Sequence, residues 1–276
     1  MGEIMHYKLC VMGNPIDHSK SPEIHEQFAQ QFNLAVNYTK VKPDLDKFPV
    51  AVNQFIKDKG YGFNVTLPFK LEAYHLATER SDRAQIAKSV NTVLIKPDGT
   101  LFGDNTDGMG LINDIIKNLN YSLSHKKILI IGAGGAVRGI LQPLLSHSPK
   151  ELIIVNRTLK NAEQLAHEFK PFGNIKSGEF LNLENLNFDV VIDGTSFNSH
   201  LSFPDSLSLS ENSLCYDLKY SNQPTSFMQW ALSKGATQVT DGLGMLVEQA
   251  AEAFNVWTSK KPETIPVIKY LRDLYN

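Results

Sequence analysis

The sequence predicts an α/β protein of two lobes, the second built on a doubly wound parallel sheet. Apolar runs of strand length alternate with helical stretches in two separate series, the pattern of sheets covered by helices. A glycine turn, Gly132-Ala133-Gly134-Gly135, joins a strand to a helix at the start of the second series. A length of 276 residues exceeds what one small core serves, and 42% hydrophobic with 9% aromatic residues suffices for a sizeable core.

In the first series residues 7–12 form an apolar run that predicts a strand, and Ser21-Pro22 opens a helix in which Ile24, Phe28 and Phe32 recur at helical spacing. A second strand at 38–41 precedes a helix with Leu45, Phe48, Val52, Phe55 and Ile56 on one face, stopped by Gly60. A third strand, 62–67, ends at Pro68. Two short apolar runs between 91 and 103 flank Lys96-Pro97-Asp98-Gly99-Thr100, whose Pro-Asp-Gly core predicts a hairpin turn. The second series begins at Lys126, with strands at 128–131, 152–155, 190–192 and 214–216. Segments 245–257 and 262–275 are helical in spacing, have no strand after them, and are expected to return to the first lobe. The expected division is 1–103 completed by 243–276, and 104–242.

In the run from Lys127 to Arg138 an apolar strand meets a glycine turn and then a helix start. Gly132 and Gly134 permit the turn and bring backbone N–H groups toward a pyrophosphate at the positive end of the helix. Val137 stands where the usual fingerprint has its third glycine. The next strand ends at Asn156-Arg157-Thr158, where an NAD site normally presents a carboxylate to the ribose; a neutral amide, a cation and a hydroxyl favour the 2′-phosphate of NADP. The competing reading is a tight strand–helix connection with a solvated arginine.

Three polar clusters follow predicted strands of the first series, where open α/β sheets place ligands. Ser19 and Ser21 set two hydroxyls beside a helix start, suited to a carboxylate or, for Ser21, to a helix cap. Asn64 and Thr66 share one strand face with Lys70 a turn beyond, and Lys70 by itself also reads as a surface lysine. Asp104, Asn105, Thr106 and Asp107 lie between the hairpin and a helix, where a capping aspartate is the ordinary explanation. There is no H-E-x-x-H and no G-x-S-x-G, and the histidines are scattered, so neither a protein-held metal nor a serine triad is expected.

The 27 Lys and Arg nearly balance 29 Asp and Glu, which argues against a sequence-independent hold on nucleic acid or anionic lipid and for a small-molecule partner. Cys10 and Cys215 sit in apolar runs and read as reduced core residues. No apolar run is long enough to span a bilayer and the opening Met-Gly-Glu-Ile-Met-His has no leader pattern, so a cytoplasmic protein is expected, as monomer or homodimer.

With these segments assembled, the sequence resembles shikimate dehydrogenase along nearly its whole length. The resemblance is carried by residues 13–22, 64–70, 89–92, 103–108, 132–136, 156–158, 216–220 and 241–249. It implies an N-terminal α/β substrate-binding lobe, a Rossmann-type lobe and NADPH-dependent, reversible reduction of 3-dehydroshikimate to shikimate in aromatic amino-acid biosynthesis. It implies Lys70 and Asp107 as the catalytic pair, Ser19 and Ser21 on the substrate carboxylate, and Asn64, Thr66, Asn91, Asp107, Tyr220 and Gln249 around the ring hydroxyls. On the cofactor side it implies Gly132, Ala133, Gly134, Gly135, Ala136, Asn156, Arg157, Thr158, Thr195, Leu218, Gly242 and Met245, with Asp82. Two departures stand out: Asn161 takes the place where many relatives carry a second basic residue, with Lys160 beside it, and the Lys219–Thr225 stretch lacks a proline soon after Tyr220. A quinate/shikimate dehydrogenase with looser cofactor choice and a silent NADP-binding protein are the alternatives; the presence of both Lys70 and Asp107 argues against the second.

Overall fold

The computed structural model describes residues 6–183, 186–195, 203 and 207–275. The opening residues 1–5, read above for a leader, lie outside that set. The chain divides into two compact units: one runs as far as Gly110 and takes in Val247–Leu274, and the other spans Leu111–Leu246. Each crossing falls a few residues after the predicted ones, at 103 and 242, so Asp104 to Asp107 belong with the first unit.

The first unit holds a six-stranded mixed sheet. Its strands are β1 (His6–Met12), β2 (Ala35–Val41), β3 (Gly62–Val65), β4 (Glu79–Arg80), β5 (Thr92–Ile95) and β6 (Leu101–Asp104), in the order β2-β1-β3-β5-β6-β4. β1 pairs in parallel with β2 and β3, while β5 and β6 form the expected antiparallel hairpin, with Gly99 at φ +86° in its turn. Its first helices are α1 (Ser21–Gln31), α2 (Phe48–Lys57), α3 (Lys70–Leu76), α4 (Asp82–Ala87) and the start of α5 (Asp107–Asn113).

Strand periodicity sends Cys10 and Met12 of β1 into a core with Phe48, Val52 and Phe55 of α2, and Tyr7 and Leu9 into the opposite core with Ala253 and Trp257. Trp257 lies on α9 (Leu243–Thr258), which is followed by α10 (Ile265–Tyr275). The indole Nε1 donates to the Val93 carbonyl at 2.9 Å, and a Cβ on Gly62 would come within 2.4 Å of that ring. Gly62 thus keeps the strand close enough for the final helices to seal this face.

Two details of the first unit differ from the sequence reading. α2 begins at Phe48 with Pro49 in its first turn, which leaves Leu45 before the helix and 66% exposed. Its end is a Schellman arrangement in which Lys59, not Gly60, takes the left-handed conformation, at φ 59°. Lys59 N donates to the Ile56 carbonyl and Gly60 N to that of Phe55. Gly60 is required for a different reason: any Cβ there would strike the Phe55 ring.

The second unit is a six-stranded, wholly parallel sheet. It comprises β7 (Lys127–Ile131), β8 (Glu151–Val155), β9 (Ile175–Gly178), β10 (Asn187–Asp193), β11 (Ser208–Asp217) and β12 (Gln238–Thr240), in the order β12-β11-β10-β7-β8-β9. Counted within the unit this is the doubly wound order, with its switch between β7 and β10. Ile128, Leu129, Ile130 and Ile131 are all fully buried, as expected for a strand covered on both faces by helices such as α6 (Gly135–Ser146), α7 (Leu159–Phe169) and α8 (Ser226–Ser233). No helix of the described residues is long and apolar enough to cross a membrane.

Candidate active site

In the first unit, the loop after β3 delivers Lys70 at the first position of α3, and the loop after β6 delivers Asp107 at the first position of α5. The Lys70 Nζ donates to Asp107 Oδ2 at 2.6 Å, with the two side chains 17% and 8% exposed. The other carboxylate oxygen accepts from Asn91 Nδ2 at 2.7 Å. Asn91 is the hub: its Nδ2 also faces Thr106 Oγ1 at 2.9 Å and Gln249 Oε1 at 3.3 Å, and its Oδ1 accepts from the Thr106 backbone N–H at 2.9 Å. Gln249, brought by α9, also accepts from the Thr106 hydroxyl at 3.3 Å. Asn64 Nδ2 donates to the Asn91 carbonyl at 3.1 Å and to Thr92 Oγ1 at 3.0 Å. Side chains as far apart in sequence as Asn64 and Gln249 thus form one hydrogen-bonded patch, and an ammonium held against a carboxylate within it can give or take a proton at an oxygen while neighbouring amides orient hydroxyls.

Ser19 and Ser21 lie at the other predicted cluster. Ser21 is the first residue of α1, after Lys20, and α1 has no side-chain cap. Ser19 Oγ instead donates to Ser21 Oγ at 3.2 Å and accepts from the Ser21 N–H at 3.3 Å, so the two hydroxyls form a pair and the capping role does not apply. Thr66 stands just past the end of β3 rather than on it, anchored through its N–H to the Met12 carbonyl.

Sequence reasoning missed Tyr38, whose hydroxyl donates to Asn64 Oδ1 at 2.7 Å and so fixes which way that amide faces. Burial pushes the Tyr38 hydroxyl far above its usual range. Its ring stacks on His25 at 4.5 Å, within 8° of parallel. His25 is fully buried, and burial pushes its imidazole down to about 3; the nearby Asn64 amide opposes this only in part, and among the described residues neither ring nitrogen reaches a partner with hydrogen-bond geometry. A tyrosine within an alternating strand carries no signal of this role, because strand sequence does not say which cross-strand neighbour its tip meets.

In the second unit Gly132 has φ +112°, and a Cβ there would lie 2.8 Å from the Gly194 carbonyl oxygen, so neither its conformation nor its space admits another residue. Gly134 and Gly135 would meet nothing within 4 Å, and with Ala136 they are exposed at the start of α6, whose first turn no side chain caps. Free N–H groups on an open, Cβ-less turn at the N-terminus of a twelve-residue helix fit a pyrophosphate. The missing third glycine has a local explanation: Val137 is fully buried, and the space is conceded across from it by Gly194, where a Cβ would fall 2.4 Å from Val137 Cγ2.

At the end of β8, Arg157 and Thr158 are exposed, and Asn156 Nδ2 closes the turn on the Thr158 carbonyl at 3.0 Å. The ends of β10, β11 and β12 bring Thr195, Leu218 and Gly242 together. Lys219 Nζ donates to Asp193 Oδ2 at 2.6 Å and to Thr195 Oγ1 at 3.2 Å, and a Cβ on Gly242 would lie 2.4 Å from the Leu218 carbonyl oxygen. Met245 N donates to the Tyr216 hydroxyl at 3.2 Å, and half-buried Tyr220 follows β11. Asp82, exposed at the start of α4, belongs to the first unit and is not among this group.

Comparison with known proteins joins these observations. Residues 11–93 match the shikimate dehydrogenase substrate-binding domain, 114–209 the shikimate/quinate 5-dehydrogenase family and 242–269 the shikimate 5′-dehydrogenase C-terminal domain. A shikimate dehydrogenase (NADP(+)) of Cellvibrio japonicus is 46% identical over 266 residues, 95% of this chain and 96% of that protein. Among solved structures, the Ael1 enzyme of Pseudomonas putida superposes with a TM-score of 0.88 at 40% identity, covering 96% of this chain and 98% of that one. A shikimate dehydrogenase in complex with NADP+ superposes with a TM-score of 0.86 at 27% identity, covering 98% of this chain and 96% of that one. The chain belongs to the shikimate dehydrogenase family.

Proposed function

We infer that this protein catalyses the reversible, NADPH-dependent reduction of 3-dehydroshikimate to shikimate, a step toward the aromatic amino acids. The observation that carries this reading is the Lys70–Asp107 contact of 2.6 Å inside a patch of amides and hydroxyls. The chemistry supplied by bound NADPH is hydride delivery to the ring ketone. Lys70, as ammonium, donates a hydrogen bond and then the proton to the developing alkoxide; in the oxidative direction it takes that proton back. Asp107 holds Lys70 and a ring hydroxyl in register. The Ser19 and Ser21 hydroxyls bind the substrate carboxylate, and Asn64, Thr66, Asn91, Tyr220 and Gln249 orient the ring hydroxyls.

On the cofactor, Gly132, whose own N–H is held by the Val155 carbonyl at 2.8 Å, shapes the turn, the N–H groups of Ala133, Gly134, Gly135 and Ala136 hold the pyrophosphate, and Asn156, Arg157 and Thr158 take the ribose 2′-phosphate. Thr195, Leu218, Gly242 and Met245 support the nicotinamide end, whereas Asp82, in the first unit, is carried by the family resemblance alone. We assign the chain to the cytoplasm, as monomer or homodimer with no nucleic-acid partner. The test is absorbance at the nicotinamide band with shikimate or quinate and NADP or NAD in all four pairings. Shikimate with NADP is expected to react with the highest kcat/KM; equal rates with quinate would favour the broader enzyme, and no rate in any pairing would refute the reading.

A further inference from the structure

The first unit contains an ion cluster that touches neither Lys70 nor Asp107 yet grips the segment that carries Asp107. Asp104 ends β6, and its side chain is 5% exposed. Its Oδ2 accepts from Arg83 Nη2 at 2.6 Å, and its Oδ1 accepts from Arg83 Nε at 2.7 Å, from the Ser81 hydroxyl and from the Asn105 backbone N–H. This is a two-pronged guanidinium–carboxylate pair, the geometry that fixes orientation as well as distance. Burial alone would raise the Asp104 carboxyl; the Arg83 bonds and charge outweigh it and hold the group below its ordinary value.

From Asp104 the chain is locked residue by residue to Asp107. Asn105 Nδ2 donates to the Ser89 carbonyl at 3.0 Å, and Asn105 Oδ1 accepts the Asp107 N–H at 3.2 Å. Arg83 reaches a second element too: its Nη1 lies 3.7 Å from Glu252 Oε2. Glu252 is one helical turn beyond Gln249 on α9, the side chain that meets Asn91 and Thr106. One guanidinium on α4 therefore ties down both the loop that presents Asp107 and the helix that presents Gln249. A two-pronged pair with a buried carboxylate and a half-buried guanidinium costs desolvation and is a poor source of stability by itself, but it specifies one arrangement of what it joins.

We propose that Arg83 is a positioning residue for the Lys70–Asp107 pair, acting through Asp104 and Glu252. This rests on the reading of Lys70 and Asp107 as the catalytic pair. Misplacement of a reacting group by about an ångström costs rate more than binding, on the order of 10²-fold at the extreme. Arg83→Met is expected to lower kcat for shikimate oxidation by about 10-fold or more, with KM for shikimate and Kd for NADP+ each within about 3-fold. Arg83→Lys, which keeps the charge but not the fork, recovers part of kcat. Asp104→Asn reproduces the loss, and Arg83→Met with Asp104→Asn is no slower than the worse single variant, because both break one contact.

The assay is steady-state kinetics on all four variants, with NADP+ binding by fluorescence and melting temperature in parallel. Wild-type kcat in Arg83→Met, or equal kcat in Arg83→Met and Arg83→Lys at unequal melting temperature, overturns the proposal in favour of a purely structural pair. So do additive losses in the double variant. If Arg83→Met does not fold, Arg83→Lys and Asp104→Asn carry the same test. Lys70→Met, run alongside, keeps the underlying reading separate: wild-type kcat there refutes the catalytic pair, whereas loss there with wild-type kcat in Arg83→Met refutes only the positioning role.

Discussion

Lys70→Met keeps an unbranched stem of similar length and deletes the ammonium alone. In the structure that ammonium lies 2.6 Å from Asp107 Oδ2, with side-chain exposures of 17% and 8%, so the pair is mostly but not wholly withdrawn from water. A charge-assisted hydrogen bond of this kind is worth about 1.5–3 kcal/mol, a factor of roughly 10 to 150 if lost only in the transition state. General acid catalysis by a placed group contributes about 10²- to 10⁴-fold. Both effects belong to one group and do not add, so the larger governs: kcat falls by about 10²-fold or more. KM for shikimate is expected to rise only a few-fold, because the carboxylate is proposed to be held elsewhere, by Ser19 and Ser21.

The fold survives Lys70→Met. Asp107 Oδ1 keeps Asn91 Nδ2 at 2.7 Å, which leaves a partly compensated carboxylate and a stability cost of about 1–3 kcal/mol. Initial rates of NADP+ reduction against shikimate concentration, with a melting curve of the same sample, give kcat, KM and fold together. A folded variant with kcat within a few-fold of wild type refutes the assignment of Lys70.

Ser19→Ala with Ser21→Ala chiefly raises KM for shikimate and leaves kcat within a few-fold, since the carboxylate is remote from the reacting carbon; an unchanged KM would exclude the pair from the site. Arg157→Ala weakens NADPH by about 10- to 100-fold and leaves NADH nearly unchanged in titrations of reduced-nicotinamide fluorescence, whereas equal losses for both would move the 2′-phosphate elsewhere. His25 sets a pH dependence. Its folded pKa, about 3, lies far below the unfolded value of 6.5, so the unfolded chain takes up a proton that the folded chain refuses, and stability present above pH 6.5 is lost as pH falls. Between pH 7.5 and 5 this amounts to about 2 kcal/mol, which His25→Phe removes from the pH dependence of urea unfolding; an unchanged slope would show that His25 titrates when folded.

What was readable in the sequence was whatever is written in spacing or in backbone demand. Alternation placed β1, β7 and β8 because their apolar runs must face helices, and Gly132 marked the tight strand–helix turn because only glycine accepts its conformation and its distance from Gly194. What was not readable depended on partners distant along the chain. Gly60 looks like a helix stop, yet the stop is Lys59, because the left-handed position was decided by the hydrogen-bond register at Phe55 and Ile56. Val137 looks like a defect in the fingerprint until Gly194, far along the chain, is seen to give it room. The same holds for Ser21, whose neighbour Ser19 turns a plausible cap into a paired hydroxyl, and for Tyr38, whose tip meets Asn64 only once β1, β2 and β3 are side by side. The short elements α3, β4, α4, β9 and β12 escaped because so few residues do not establish a period.

The most direct test of the central claim follows the hydrogen itself. Shikimate carrying deuterium at its C3 carbinol carbon, incubated with the enzyme and NADP+, is expected to yield reduced nicotinamide one mass unit heavier and 3-dehydroshikimate free of label at that carbon, in equal amounts. Reduced cofactor without the label, or label retained in the carbocyclic product, would contradict hydride transfer from that carbon and with it the function argued from Lys70, Asp107 and the glycine cradle.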